Sequence, residues 1–151
     1  MEKSKGEGGK MRILILCTGN SCRSQMAHGF LQSFDPALEV FSAGTSPAAQ
    51  VHPQAVAAMA EVGIDISGHV PHSVQEYRTL DWDYVITVCG GAKEHCPVFT
   101  AAVKHRVHLG FEDPAQIKAA PQEVAEGFRR VRDQIREVFQ DFYRTNLKKQ
   151  G

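Results

Sequence analysis

The sequence predicts an α/β protein: a four-stranded parallel sheet with helices on both faces, three layers in all. Three observations carry this. Short aliphatic runs alternate with segments of helical periodicity. The runs are close to continuously apolar, as strands covered on both faces are. The chain has 151 residues, 42 % hydrophobic and 23 % charged, enough to bury a substantial core without covalent staples.

Arg12–Leu16 (RILIL) reads as the first strand and Ser24–Phe34 as the first helix, with Met26, Ala27, Phe30, Leu31 and Phe34 on one face. Glu39–Ala43 (EVFSA) is a second strand ending at Gly44. Pro53–Val62 is a helix with Pro at its start and Gly63 past its end, the usual asymmetry. Asp83–Val88 (DYVITV) is the third strand and Arg106–Leu109 a short fourth, followed by a Gly-Phe-Glu-Asp-Pro loop. Gln122–Leu147 is a long terminal helix with Val124, Phe128, Val131, Ile135, Val138, Phe139 and Phe142 near a 3.6 period. Residues 11–147 are expected to form one catalytic domain, with a flexible leader over 1–10 (MEKSKGEGGK) and a tail over 148–151. The leader lacks the apolar centre of a secretory signal, and Met11 offers an alternative start.

Lysine plus arginine and aspartate plus glutamate number 17 each, with no basic run. That argues against nucleic acid or an anionic membrane as partner, and no apolar stretch is long enough to span a bilayer. Four cysteines without a signal point to a reducing compartment, the cytoplasm by default, where thiols serve catalysis or redox exchange.

The run from Cys17 to Ser24 (CTGNSCRS) is the richest in chemistry. A thiol at a strand end, five loop residues and an arginine opening a helix make a cradle for a tetrahedral oxyanion. The backbone N–H groups of Thr18, Gly19, Asn20, Ser21, Cys22 and Arg23 are expected to converge on the anion, aided by the helix dipole. Arg23 can grip two oxygens with its planar fork. The same field favours a Cys17 thiolate below the ordinary thiol pKa of about 8.5. The Cys22 thiol is expected to pack under the loop, with an off-path bridge to Cys17 as the other outcome under oxidation.

Ligands of parallel sheets bind beyond the carboxyl ends of the strands. Cys17, Cys89 and Asp113 each follow a strand, so they should meet on one rim. Asp113 is held extended by Pro114 and suits a general acid. Cys89 and Cys96 are spaced wrongly for a Cys-x2-Cys redox pair. Across a helix they would stand roughly 10.5 Å apart, whereas a disulfide needs Cα atoms about 4.4–6.8 Å apart. A bond between them requires a loop or an unwound helix, for which Gly90-Gly91 gives hinge freedom while Pro97 limits helical continuation at the far end. Two unrelated buried thiols are the plainer alternative. A zinc set from Cys89, Cys96, His105 and His108 lacks finger spacing, and His28, His52, His69 and His72 read as loop or exposed-helix residues. No metal and no cofactor are expected.

CTGNSCRSQMA, VCGGAKEHC and HLGFEDPA together resemble the thioredoxin-coupled arsenate reductases, which share the low-molecular-weight tyrosine phosphatase fold. The likeness runs from about Met11 into the terminal helix. It implies that Cys17 attacks arsenate while Asp113 protonates the departing oxygen. Cys89 then attacks Cys17 and releases arsenite, and Cys96 draws the disulfide outward to Cys89–Cys96 for thioredoxin. It further implies that Ser24 hydrogen-bonds the Cys17 thiolate, that Asn20 shapes the loop, and that phosphate or sulfate competes with arsenate. His28 stands where several relatives have Glu beside a potassium site, so potassium is not carried over, and Leu109 stands where they often have Trp. A monomer is expected. A tyrosine phosphatase using Cys17, Arg23 and Asp113 alone is the runner-up, although Ala115 and Gln116 follow the Asp-Pro where phosphatases favour aromatics. A redox-sensing module is the non-enzymatic alternative.

Overall fold

Strand β1 (Arg12–Cys17) forms the middle of the sheet. It pairs in parallel with β2 (Glu39–Gly44) and β3 (Trp82–Thr87), and β3 pairs with β4 (Val103–His108), giving the order β2-β1-β3-β4. The computed structural model describes residues 10–148. The leader over 1–10, Lys10 apart, and the tail over 148–151, Lys148 apart, lie outside the described residues.

Ile13, Leu14, Ile15 and Leu16 are all fully buried, as expected of a strand covered on both faces. Alternate residues serve the two sides. On one side, Ser42 of β2 meets His28 of α1 (Arg23–Phe34), and Tyr84 of β3 meets Phe142 of α4 (Pro121–Phe142) edge-on, with ring centroids 5.4 Å apart. Helix α2 (Pro53–Glu61) packs on α1 and α4, where the buried Arg132 donates to Ala58 O at 2.9 Å and to Glu61 at 2.8 Å. On the other side, Phe41 packs on Tyr77, centroids 5.5 Å apart, and the short helix α3 (Gly90–His95) lies against β1 and β3.

The expected strands and helices are present with shifted edges, and the short α3 is an addition to them. Helix α4 ends at Phe142 and continues as a π-helical turn over Tyr143–Leu147. Val138, expected in the core, is 36 % exposed, because the buried stripe runs through Phe128, Val131, Ile135, Phe139 and Phe142. Strand β4 begins at Val103, earlier than expected. Its Lys104, His105 and Arg106 are exposed, as an edge strand permits.

The chain leaves β1 to one side for β2 and returns to the other side for β3. The carboxyl ends of β1 and β3 therefore flank the point where strand order reverses, the usual crevice of such sheets. Cys17 ends β1 and Cys89 follows β3 by two residues.

Candidate active site

The loop from Cys17 to Arg23 is shaped by a strap that the motif does not reveal. Residues 45–52 hold its carbonyls: Thr45 N donates to Cys17 O (3.1 Å), Ser46 N to Thr18 O (2.9 Å), Ala48 N to Gly19 O (2.8 Å) and His52 N to Ser21 O (2.9 Å). With the carbonyls drawn outward, the amide N–H groups are turned to the inside, the arrangement that binds anions. The strap approaches this closely because Gly44 has no side chain; a Cβ there would lie 2.5 Å from Thr18 O.

Asn20 fixes the turn. Its φ of 51° is left-handed, which asparagine tolerates better than most residues. Its buried side chain donates to Ser24 Oγ (2.7 Å) and accepts from His72 N (2.9 Å), while its carbonyl accepts from Gln25 Nε2 (3.1 Å). Asn20 thus has the geometry of a loop-shaping residue. Ser24 is buried and accepts from Asn20. Among the described residues it forms no hydrogen bond to Cys17.

Cys22 stands at the N-cap of α1 without capping it, which leaves the first-turn amides available to a ligand. Its thiol instead points to Asp113 Oδ1 at 3.5 Å, and burial raises its pKa to about 11. Asp113 Oδ1 also accepts from Ala115 N (2.9 Å), and Oδ2 lies 3.4 Å from Arg23 Nη2. Arg23 Nη1 donates to Phe111 O at 3.1 Å. Its Nε is buried and has no partner among the described residues, a donor left over for an oxyanion.

Cys89 comes to the same rim. Its sulfur lies 3.3 Å from Thr18 Oγ1 and accepts from Ala92 N at 3.4 Å. Cys17 and Cys89 act on one another's ionisation in opposite directions. Cys89 is lowered to about 4, first by its interaction with the Cys17 thiol, with Thr18, Ala92 and Arg23 helping against burial. Cys17 is raised, by the same interaction and then by burial, with Arg23 opposing. The Cys17 thiolate expected from the loop field is thus favoured by Arg23 but opposed by Cys89 and by burial.

Cys96 does not join this cluster. It caps the far end of α3, half-buried, and all four cysteines are free. Cys89 and Cys96 sit at opposite ends of a helix, so a bond between them demands that α3 unwind.

His28 is not on an exposed helix face. Its Nδ1 lies 3.0 Å from Ser42 Oγ and its ring 4.6 Å from that of His69. Burial first, then the neighbouring His69 and His72, lowers its pKa to about 3. Among the described residues no group of three or more His, Cys, Asp or Glu could hold a metal ion. None of the helices among them is long and apolar enough to cross a membrane.

Residues 12–151 match the low molecular weight phosphotyrosine protein phosphatase family. The chain belongs to that family. An arsenate reductase of Halalkalibacterium halodurans is 44 % identical over 90 % of this chain and 97 % of its own. An arsenate reductase of Bacillus subtilis is 42 % identical over 88 % and 95 %. A solved arsenate reductase in its oxidised state superposes with a TM-score of 0.74 at 32 % identity, covering 89 % of this chain and 97 % of that one. The Erwinia amylovora tyrosine phosphatase amsI, with a TM-score of 0.71 at 18 % identity over 94 % and 97 %, shares the fold. The resemblance read from the cysteine motifs is borne out at the level of family and fold.

Proposed function

We propose that this chain reduces arsenate to arsenite through a relay of Cys17, Cys89 and Cys96, with thioredoxin restoring the thiols. The observation that carries this is the Cys89 sulfur 3.3 Å from Thr18 Oγ1, on the oxyanion loop next to Cys17. A phosphatase needs only the first thiol, whereas a two-electron reduction needs a second one within reach of it. The sequence kinship with arsenate reductases supports the same reading.

Arsenate binds to the N–H groups from Thr18 to Arg23 and to the Arg23 guanidinium. The Cys17 proton passes to an oxygen of the entering anion, so that Cys89 is left as thiolate. Cys17 sulfur attacks arsenic and displaces an oxygen that leaves as water with a proton from Asp113. Cys89 thiolate then attacks Cys17 sulfur. The sulfur–arsenic bond breaks with its electron pair going to arsenic, which departs as arsenite, and a Cys17–Cys89 disulfide remains. Cys96 attacks Cys89, freeing Cys17 as thiolate and moving the disulfide to Cys89–Cys96. Thioredoxin reduces that bond and closes the cycle.

Cys17 is buried and poorly placed for a protein reductant; Cys96 is the more accessible sulfur. The catalytic unit is the stretch 11–147, working as a monomer in the cytoplasm, where thiols are kept reduced. Phosphate and sulfate compete because the loop recognises shape and charge.

The test is Cys89→Ser. Multi-turnover arsenite production in the presence of thioredoxin should collapse while slow aryl phosphate hydrolysis persists. Sustained turnover in that variant would overturn the relay. Arsenite counted per disulfide in one turnover separates reduction from redox sensing, and a ratio near zero would favour the sensor.

A further inference from the structure

A second cavity, of about 240 Å³, opens on the sheet face beside α3. It is lined by Val85, Thr87, Lys93, Cys96, Arg106 and His108, together with Val107. Two features set it apart. Two of its walls carry cations, Lys93 and Arg106, and among the described residues no carboxylate lines it. Its one sulfur is Cys96, which takes no part in the anion loop.

The cationic wall is built in place. Arg106 lies on β4, and its guanidinium sits 5.5 Å above the ring of the buried Phe99. Such stacking holds the planar fork in a fixed orientation, ready for a carboxylate. His108 is anchored through Nδ1 to Thr87 Oγ1 at 2.7 Å. Val85, Thr87, Arg106, Val107 and His108 belong to the sheet, so these walls persist when α3 rearranges. Only Lys93 and Cys96 lie on or next to the helix that must unwind.

We propose that this cavity seats the carboxylate-bearing arm of a low-molecular-weight thiol, which exchanges with Cys96 through a mixed disulfide. The space fits one amino-acid-sized arm rather than a whole cofactor, being smaller than pockets that engulf drug-sized ligands. As a route of reduction the proposal rests on the relay above; as a binding site it stands without it.

In the reducing direction, the small thiolate attacks Cys96 sulfur in the Cys89–Cys96 disulfide. The protein S–S bond breaks and Cys89 leaves as thiolate. A low-pKa thiol leaves readily, and Cys89 in its reduced setting is such a thiol. A second small thiolate attacks the outer sulfur of the mixed disulfide, releasing the Cys96 thiolate and a small-molecule disulfide. Two small thiols lose two electrons, the protein disulfide gains them, and the two thiol protons end on the protein sulfurs or in solvent. Run backwards, the same step loads reduced Cys96 from a small disulfide. Burial raises the Cys96 thiol while Arg106 draws it down, so loading should quicken as pH rises.

The experiment uses the Cys89→Ser full chain, in which the mixed disulfide cannot be resolved by its neighbour. The reduced protein is incubated with glutathione disulfide, which carries carboxylates, or with cystamine, which carries only ammonium groups. Adducts are mapped by peptide mass, and each rate is divided by that for the urea-unfolded protein. Cys96 should load from glutathione disulfide about tenfold faster than from cystamine, the scale of two exposed ion pairs. Arg106→Glu should abolish or invert that preference. Lys93→Glu, on a different element, should weaken it and serves if the first variant fails to fold. Equal normalised rates, a preference indifferent to both substitutions, or adducts chiefly on another cysteine would overturn the proposal. Since no arsenate is present, failure here leaves the relay intact, and failure of arsenite release leaves this site intact.

Discussion

The molecule contains the same local device twice: a strand, a cysteine near its end, and a helix. The two copies differ in how firmly they are held. After β1, the loop carbonyls are tied to the 45–52 strap, Asn20 is bonded on three sides, and the twelve-residue α1 buries much of its surface. After β3, α3 has six residues, and of these only Ala92 is buried. Helices this short are marginal by themselves. The first copy is suited to holding an anion in a fixed frame, and the second to letting go of its own geometry. One rigid thiol and one thiol on a weak helix are what a migrating disulfide requires.

The comparison is most severely tested by loosening the rigid copy. Gly44→Ala should push a Cβ against Thr18 O, costing about 1–3 kcal/mol of stability. By displacing the loop it should lower oxyanion turnover by about 100-fold. Arsenate kinetics and a urea melt would read both, and unchanged kinetics would show that the strap does not set the loop.

Coupling between the copies predicts a pH effect. In Cys89→Ser the thiol interaction that most raises Cys17 is replaced by that of a weaker acid, so Arg23 should act with less opposition. The pH midpoint for iodoacetamide labelling of Cys17 should fall below that of the wild type. In the wild type, Cys89 should label at lower pH than Cys17, because its neighbours hold its pKa down while that of Cys17 is held up. The reverse order would mean that Cys17 is the acceptor in the pair.

His28 lies under the rigid copy and gives a stability signature. Its pKa is about 3 in the fold, against about 6.5 in an unfolded chain. The unfolded state therefore takes up a proton first. The stabilisation is complete above pH 6.5 and is lost as pH falls towards 3. Between pH 7 and 5 the wild type should lose about 1–2 kcal/mol more than His28→Gln. Urea midpoints at the two pH values would show it, and parallel losses would refute the burial argument.

The smallest effect comes from stiffening the weak copy. A Cβ on Gly90 meets nothing within 4 Å, so Gly90→Ala is free of clashes. It should favour the helical form of α3 by about 0.5–1 kcal/mol and slow formation of the Cys89–Cys96 bond about two- to fivefold. Rapid quench with mass mapping after one turnover would measure this.

Much of the frame was legible in the chain. Apolar β1 and β3 and the stripe of α4 announce themselves because burial on a repeating face leaves a repeating pattern. Strand β4 is misplaced by sequence reasoning because an edge strand carries Lys104, His105 and Arg106 on its exposed faces, which erases the pattern. The loop motif identifies Cys17 and Arg23 but not the strap, whose bonds are main-chain and leave no side-chain signature. Gly44, adjoining an expected strand end, was the one hint. The order of ionisation was also hidden. It depends on Cys17 meeting Cys89, a contact between residues seventy-two positions apart.

Carbonyls tethered by the strap imply a pocket that grips its guest mainly through peptide groups, whose identity no substitution can alter. Phosphate and arsenate present nearly the same tetrahedron to such a frame, so affinity alone offers little choice between them. On the proposed relay, discrimination is exercised afterwards, by whichever central atom accepts an electron pair when the second sulfur arrives. An abundant mimic delays such an enzyme without deceiving it.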